Sequence, residues 1–150
     1  MQMPSSLSNN SMQTLPILLA AALGNLAAAS TTTPVPLSCP ESVPISMSPM
    51  PGWKTHVASD LYLNSATPID GPPEMHGDLA DYTSKPGKKE WSYTYDLDRN
   101  FPDGKWLECG YGPHNELTLS QRMPDSIKIC TFTYHKGAKM GQNDIKILCR

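Results

Sequence analysis

The first 29 residues of this chain contain no Asp, Glu, Lys or Arg. They hold instead the run Leu15 to Ala29, LPILLAAALGNLAAA. No apolar run in the chain has the length of a membrane span, which takes about 20 residues. This one ends in small residues, with Ala27 and Ala29 forming a small-x-small cleavage site ahead of Ser30. Residues 1–29 therefore read as a secretory signal, and a start at Met12 gives its more compact form, MQTLPILLAAALGNLAAAS. A basic excess is also missing. Twelve Lys and Arg against 14 Asp and Glu give a formal net charge of −2, which excludes the positive footprint that nucleic-acid binding needs. There is no C-x-x-C or H-x-x-x-H pair with zinc-ligand spacing, no G-x-S-x-G nucleophile turn, and neither a repeat period nor a heptad pattern. No cofactor-binding motif is present.

What is there points to a small exported β domain. After the signal about 120 residues remain, enough for one modest core. The four cysteines, Cys39, Cys109, Cys130 and Cys149, are even in number behind an export signal, so they read as two disulfides formed in an oxidising compartment. Each such bridge contributes about 2–4 kcal/mol, which offsets the smallness of the core.

Residues 30–51 are rich in Pro, Ser and Thr and read as an extended, poorly ordered lead-in that Cys39-Pro40 first staples to the domain, with Glu41 to Ile45 as a short edge strand. The β domain proper spans residues 52–150. Alternation predicts strands at Trp53–Ala58 and Leu61–Asp70. Asp70-Gly71-Pro72-Pro73-Glu74 then ends the ladder, because Gly-Pro-Pro cannot continue it. Pro73 suits a first helical position, and a single short helix is expected over Pro73 to Tyr82, with Met75 and Leu79 inward at i, i+4. Ser84 to Lys89 reads as a loop. Trp91, Tyr93, Tyr95 and Leu97 form the aromatic face of another strand, and Asp98 to Gly104 forms a turn.

From Trp106 to Arg150 four short strands follow, expected at 106–112, 117–122, 127–135 and 145–149 as a consecutive antiparallel meander. In a flat meander Cys109 and Cys130 lie two strands apart, about 9–10 Å, beyond the roughly 7 Å Cα separation that a disulfide tolerates. Cys130 and Cys149 fall nearly opposite each other on adjacent strands. The expected pairing is therefore Cys39–Cys109 and Cys130–Cys149, in a mostly β fold: a small antiparallel sheet or sandwich with a C-terminal meander, one short helix and two disulfides.

Several of these elements recur together: the export signal, Cys39-Pro40, Pro51-Gly52-Trp53, Asp70 to Glu74, Trp91, Trp106 to Tyr111, Leu117 to Ser120, Cys130 to Tyr134 and Cys149-Arg150. In that order they resemble the STY-type family of small exported bacterial proteins, first catalogued from a Salmonella Typhi locus. The resemblance spans nearly all of the chain after residue 29. It implies a periplasmic or secreted protein of a Gram-negative bacterium, and carries no activity with it. The chain departs from the family in its uncharged N-terminus and in the longer linker before Cys39.

No group of side chains assembles into a catalytic set. His56, His76, His114 and His135 are scattered. His76 with Asp78 makes neither a metal site nor a general-base pair, and Cys109 near His114 is a disulfide cysteine before it is a thiolate. Asp70, Glu74, Asp78 and Asp81 cluster beside one loop, as capping and solubility groups commonly do. The residues favour a non-catalytic protein that binds another envelope or secreted protein, of inhibitor, immunity or adaptor type. Its expected contact is the loop Asp70, Gly71, Pro72, Pro73 and Glu74. The alternative is a small envelope hydrolase using acidic residues of the 70–81 loop. No metal, no cofactor and no membrane insertion after signal cleavage are expected, and the oligomeric state is left open.

Overall fold

Among the described residues eight strands carry the fold: β1 (Ser42–Val43), β2 (Leu61–Asp70), β3 (Thr83–Lys85), β4 (Glu90–Asp96), β5 (Lys105–Tyr111), β6 (Leu117–Arg122), β7 (Ile129–Lys136) and β8 (Asn143–Cys149). They form two four-stranded antiparallel sheets, ordered β1-β2-β5-β6 and β3-β4-β7-β8. The computed structural model describes residues 35–150. The expected signal at 1–29 and the start of the lead-in, residues 30–34, lie outside the described residues.

Period-2 alternation decides which side chains meet. On β5, Leu107, Cys109 and Tyr111 point inward while Trp106 and Glu108 are only half-buried. On β7, Cys130, Phe132 and Tyr134 are buried and Thr131 and Thr133 less so. These two inner faces share one core with Val43, Leu63, Tyr95, Leu97 and Ile147. The lead-in contributes as well. Leu37 is buried in that core, and the Val35 N–H donates to the Cys149 carbonyl at 3.2 Å.

β2 has an unusual position. One edge pairs with β5 from Leu63 to Asp70, but on the other edge β1 covers only Leu61 and Tyr62, helped by the Leu63 N–H donating to Glu41 O. Main-chain groups further along would be buried without partners, at about 1–3 kcal/mol each. Two side chains of the opposite sheet supply them. The Tyr134 hydroxyl donates to Ala66 O at 2.5 Å and accepts from Ala66 N–H at 3.3 Å, and Asn143 Nδ2 donates to Asn64 O at 2.6 Å. Pro68 sits within this strand without breaking it. Ala66, two residues before it, turns its own N–H toward Tyr134 and away from β5, so by alternation Pro68 lacks a donor only on the side where no ladder runs. Burial above all pushes the Tyr134 phenol up to about 12, so it remains a donor throughout the working pH range.

Four sequence expectations need correction. The consecutive meander over 106–149 does not form: β5 and β6 are a hairpin of one sheet, β7 and β8 a hairpin of the other, and Met123 to Lys128 crosses between them. That crossing is held by Lys105, a buried residue whose Nζ donates to the carbonyls of Asp125 at 3.0 Å and Ile127 at 2.5 Å. Trp53–Ala58 is not a strand, since no other strand pairs with it, and Trp53 is 74% exposed. The helix expected over Pro73 to Tyr82 shrinks to a single 3-10 turn, Pro73–Met75. His76 ends it in the left-handed region at φ 52°, after which Gly77 lies so close that a Cβ would stand 1.9 Å from Asp70 O. The chain then runs back along β2, with Gly77 O accepting from Asp70 N–H and Asp78 bridged to Ile69. Finally, the loop expected from Ser84 starts later, because Thr83–Lys85 pairs with β4.

Cys39 is bonded to Cys109 with Cα atoms 5.8 Å apart, and Cys130 to Cys149 at 4.2 Å. Cys130 and Cys149 are direct partners in the β7–β8 register. The geometry that separates Cys109 from Cys130 is membership of different sheets rather than distance along one.

Tyr134→Phe deletes the hydroxyl that serves both Ala66 groups and leaves the ring in place. The expected loss is about 2–4 kcal/mol of unfolding free energy, read from the denaturant midpoint at unchanged slope. A loss below about 0.5 kcal/mol removes the β2 edge from the list of what holds the sheets together.

Candidate functional site

The loop that follows β2 is a closed, clamped turn. Gly71 is buried at φ 80°, and its N–H donates to Gly104 O at 2.9 Å, tying the loop to the turn before β5. Pro72 and Pro73 are half-buried with fixed φ. The Met75 N–H donates to Pro72 O, and the Asp70 N–H to Gly77 O at 2.8 Å. Glu74, Met75 and His76 project outward, with Met75 54% exposed, and Asp70 is half-buried at the root. Of the residues expected to contact a partner, Glu74 is therefore presented to solvent, while Asp70, Gly71, Pro72 and Pro73 form the base that presents it.

Of the acidic residues of the 70–81 loop, Asp81 reaches a groove and Asp70 and Glu74 do not. Asp70, Glu74 and His76 line none of the principal grooves. One of these, of ≈ 370 Å³, is lined by Asp81 and Asp96 with Tyr82, Thr83 and Thr94. A second, of ≈ 330 Å³, is aromatic, lined by Tyr82, Trp91 and Tyr93 beside Lys85 and Pro86. A third, of ≈ 390 Å³, lies between Pro44, Ile45 and Leu61 on one side and Glu116 and Leu117 on the other. Among the described residues no group of three or more His, Cys, Asp or Glu is placed to hold a metal ion. Nor is any helix there long and apolar enough to cross a membrane. His114 is exposed on the β5–β6 turn, and Cys109 is locked in its disulfide.

Sequence reasoning missed Glu108. It sits on the half-buried outer face of β5, opposite Thr67 of β2 and Ser120 of β6. Burial pushes its carboxyl above the ordinary range, the Asp78 carboxylate adds to the rise, and His76 partly opposes it. Its signal in the sequence was only the polar slot of an alternating strand. The connection to Asp78 and His76 depends on the 3-10 turn folding back. Also missed was the long irregular segment between β1 and β2, which exposes Met47, Met50 and Trp53 together.

Fold and surface together define a small, two-disulfide antiparallel β protein that offers loops and a strand edge to solvent. The model of the Type VI secretion system Tli immunity protein family matches residues 57–150, well over half of the 150, and the chain belongs to that family. No curated protein and no solved structure matches it. Membership of this small bacterial family agrees with the broad sense of the resemblance drawn from the sequence. It gives the STY-type name no support.

The Glu108 carboxyl has a testable consequence. A carboxyl raised in the folded state binds its proton more tightly there than in the unfolded chain, so folding is favoured while it is protonated, and that contribution is lost as pH rises through the folded value. Glu108→Gln removes the cost of the charge. Its thermal midpoint is expected above the parent's at pH 7, with the gap closing as pH falls below the ordinary carboxylate range. An equal gap at pH 7 and pH 3.5 would show that charge is not the cause.

Proposed function

We propose that this chain is an immunity protein of the periplasm or cell exterior that binds a type VI secretion effector and blocks its action on the cell envelope. The observation that carries the proposal is the family match over residues 57–150. Two further features support it. Both disulfides lie in the core, where they suit an oxidising compartment, and the uncharged N-terminal run suits export.

The contact is assigned to the loop Asp70–Glu74 together with Met75. Its main chain is closed by hydrogen bonds at Gly71 and Asp70, so little conformational entropy remains to be lost when Glu74 and Met75 meet a partner. A mixed acidic and apolar tip on a rigid base suits a basic or amide-rich rim beside an apolar pocket. For the hydrolase alternative the observations divide: Asp81 lines a groove with Asp96, but Asp70, Glu74 and His76 sit around a projecting turn outside that groove.

The test is protection. Cells exporting an envelope-acting type VI effector from the same strain should regain growth when the full chain is co-produced. Glu74→Lys combined with Met75→Asp should abolish both protection and co-purification at an unchanged thermal midpoint. Protection that survives the double change removes the loop from the contact. Absence of protection against every effector of the strain overturns the immunity reading.

A further inference from the structure

A β-sheet edge is a row of unpaired main-chain donors and acceptors, and proteins guard such edges with brevity, charge, proline, bulges or cover. Three of the four sheet edges here are guarded. β1 has two residues. β3 has three, ends in Lys85, and is followed by Pro86, Lys88 and Lys89. β8 carries Asp144 and Lys146 and is met at Cys149 by the main chain of Val35.

Among the described residues, β6 has one of these devices alone, the charge of Arg122 at its end. Its six residues, LTLSQR, include no Pro and no Lys, and they pair with β5 in an unbroken register from Tyr111↔Leu117 to Trp106↔Arg122. Leu117, Leu119 and Gln121 share the core-facing side with Tyr111, Cys109 and Leu107, yet the leucines remain 37% and 40% exposed. The inner face of this sheet overhangs its core at β6. The apolar groove between Ile45, Leu61 and Leu117 and a second one between Pro40, Cys109 and Leu119 follow the same margin.

The strand is also self-complementary. Glu116 precedes it and Arg122 ends it, with no charge between. The Met123 N–H donates to Lys105 O, in step with the β5–β6 register. Odd-numbered residues of β6 therefore direct their main-chain groups to β5, and Thr118, Ser120 and Arg122 direct theirs outward. An antiparallel pairing of β6 with itself, centred on Leu119, sets Thr118 opposite Ser120 of the second copy, which is a hydrogen-bonded pair of outward-facing residues. The same register sets Glu116 opposite Arg122 of the second copy at both ends, and Leu119 against its own mate on the two-fold axis. Opposite charges and Thr–Ser pairs directly across strands each favour the pairing. The Glu116 carboxyl is held below its ordinary range by its own N–H and that of His114, so the negative end stays charged. Arg122 lies on the exposed surface, 3.2 Å from Asp125.

We propose that β6 is a self-association edge: two copies of this chain pair antiparallel through Leu117–Arg122, joining β1-β2-β5-β6 of each into one continuous eight-stranded sheet. The occupant is a second copy because the charge order of the strand matches its own reversal in a register that the main-chain directions also permit. Closed two-fold pairing of this kind removes the exposed edge without leaving another. The inference is independent of the effector contact, which lies on a different loop.

The experiment is sedimentation equilibrium of the full chain, purified under non-reducing conditions, beside Glu116→Arg, Arg122→Glu, their combination, and Thr118→Pro. A monomer–dimer equilibrium in the micromolar range is expected for the parent. Each single charge reversal places like charges at both ends and should weaken the dimer about tenfold. The double reversal should restore it, which loss of folding would not do. Thr118→Pro, whose missing N–H serves nothing within the monomer, should give monomer at a near-parental thermal midpoint. A parent that stays monomeric throughout, a dimer indifferent to Thr118→Pro, or singles that the double does not rescue each overturns the proposal. So does a monomeric parent in which Thr118→Pro abolishes effector binding, since the edge would then take a strand of the effector. Protection in cells is read separately, so loss of one reading leaves the other standing.

Discussion

Strand β2 is paired with β5 on one side from Leu63 to Asp70. On the other side its main chain from Asn64 to Ala66 enters the interior, where an unmatched amide or carbonyl costs about as much as a poorly chosen core residue. Tyr134 and Asn143, both from the opposite sheet, meet that requirement at Ala66 and Asn64. Apolar contact between two faces tolerates sliding, because dispersion is non-directional. A phenol that both donates to and accepts from one residue does not. The relative placement of the two sheets thus depends on a few directional bonds at one edge, and the hydrophobic core fills in around a geometry already set.

The covalent and charged links act at the places this edge cannot reach. Cys39–Cys109 holds the segment before β1 against the middle of β5, so Leu37 and Val43 stay in the core although β1 itself has only two residues. Cys130–Cys149 joins the paired ends of β7 and β8. Where the chain crosses between sheets, no ladder exists to satisfy Asp125 and Ile127, and the Lys105 ammonium does so from the start of β5. A lysine there covers both carbonyls with one flexible donor group and lays its charge near the Phe101 ring, 5.3 Å from the centroid. Each device supplies backbone partners or a tether where strand pairing stops.

Alternation along β4, β5 and β7 was legible in the sequence because inward residues there are mostly large and apolar; along β2 it was not, since the register shift between Leu63 and Ser65 sets Ala66 and Pro68 opposite Cys109 and Leu107. The two-sheet arrangement was not. Met123-Pro124-Asp125-Ser126 reads equally well as a hairpin turn or as a crossing, and what distinguishes them is a buried lysine whose partners are main-chain atoms invisible to a pattern. Trp53-Lys54-Thr55-His56-Val57 shows the opposite failure: its alternation is good, but a strand also needs a partner, and this segment pairs with none of the described strands. The expected helix failed for a local reason. Met75 and Leu79 have helical spacing, but Gly77 lets the chain press against Asp70, and the hydrogen bond gained at Asp70 ends the helix after one turn. At the candidate site the loop itself was visible from Gly-Pro-Pro, whereas Glu108 was not, since its neighbours Asp78 and His76 reach it only through that fold-back.

The first sheet is asymmetric in a way that bears on how the protein meets others. Its β2 side is filled in three lengths: β1 and Glu41 cover Leu61 to Leu63, side chains of the other sheet cover Asn64 to Ala66, and the returning loop covers Ile69 and Asp70. The last of these is what fixes the projecting turn with Glu74 and Met75, so the rigidity of that loop is inherited from the same edge that aligns the sheets. On the far side β6 pairs with no described strand beyond β5, and its leucines stand half out of the core. A sheet closed on one side and open on the other can take a rigid contact from a partner at the first without competing for the second. In a protein of an immunity family, which implies binding of a partner effector, the loop margin and the β6 margin are thus separate surfaces of one sheet.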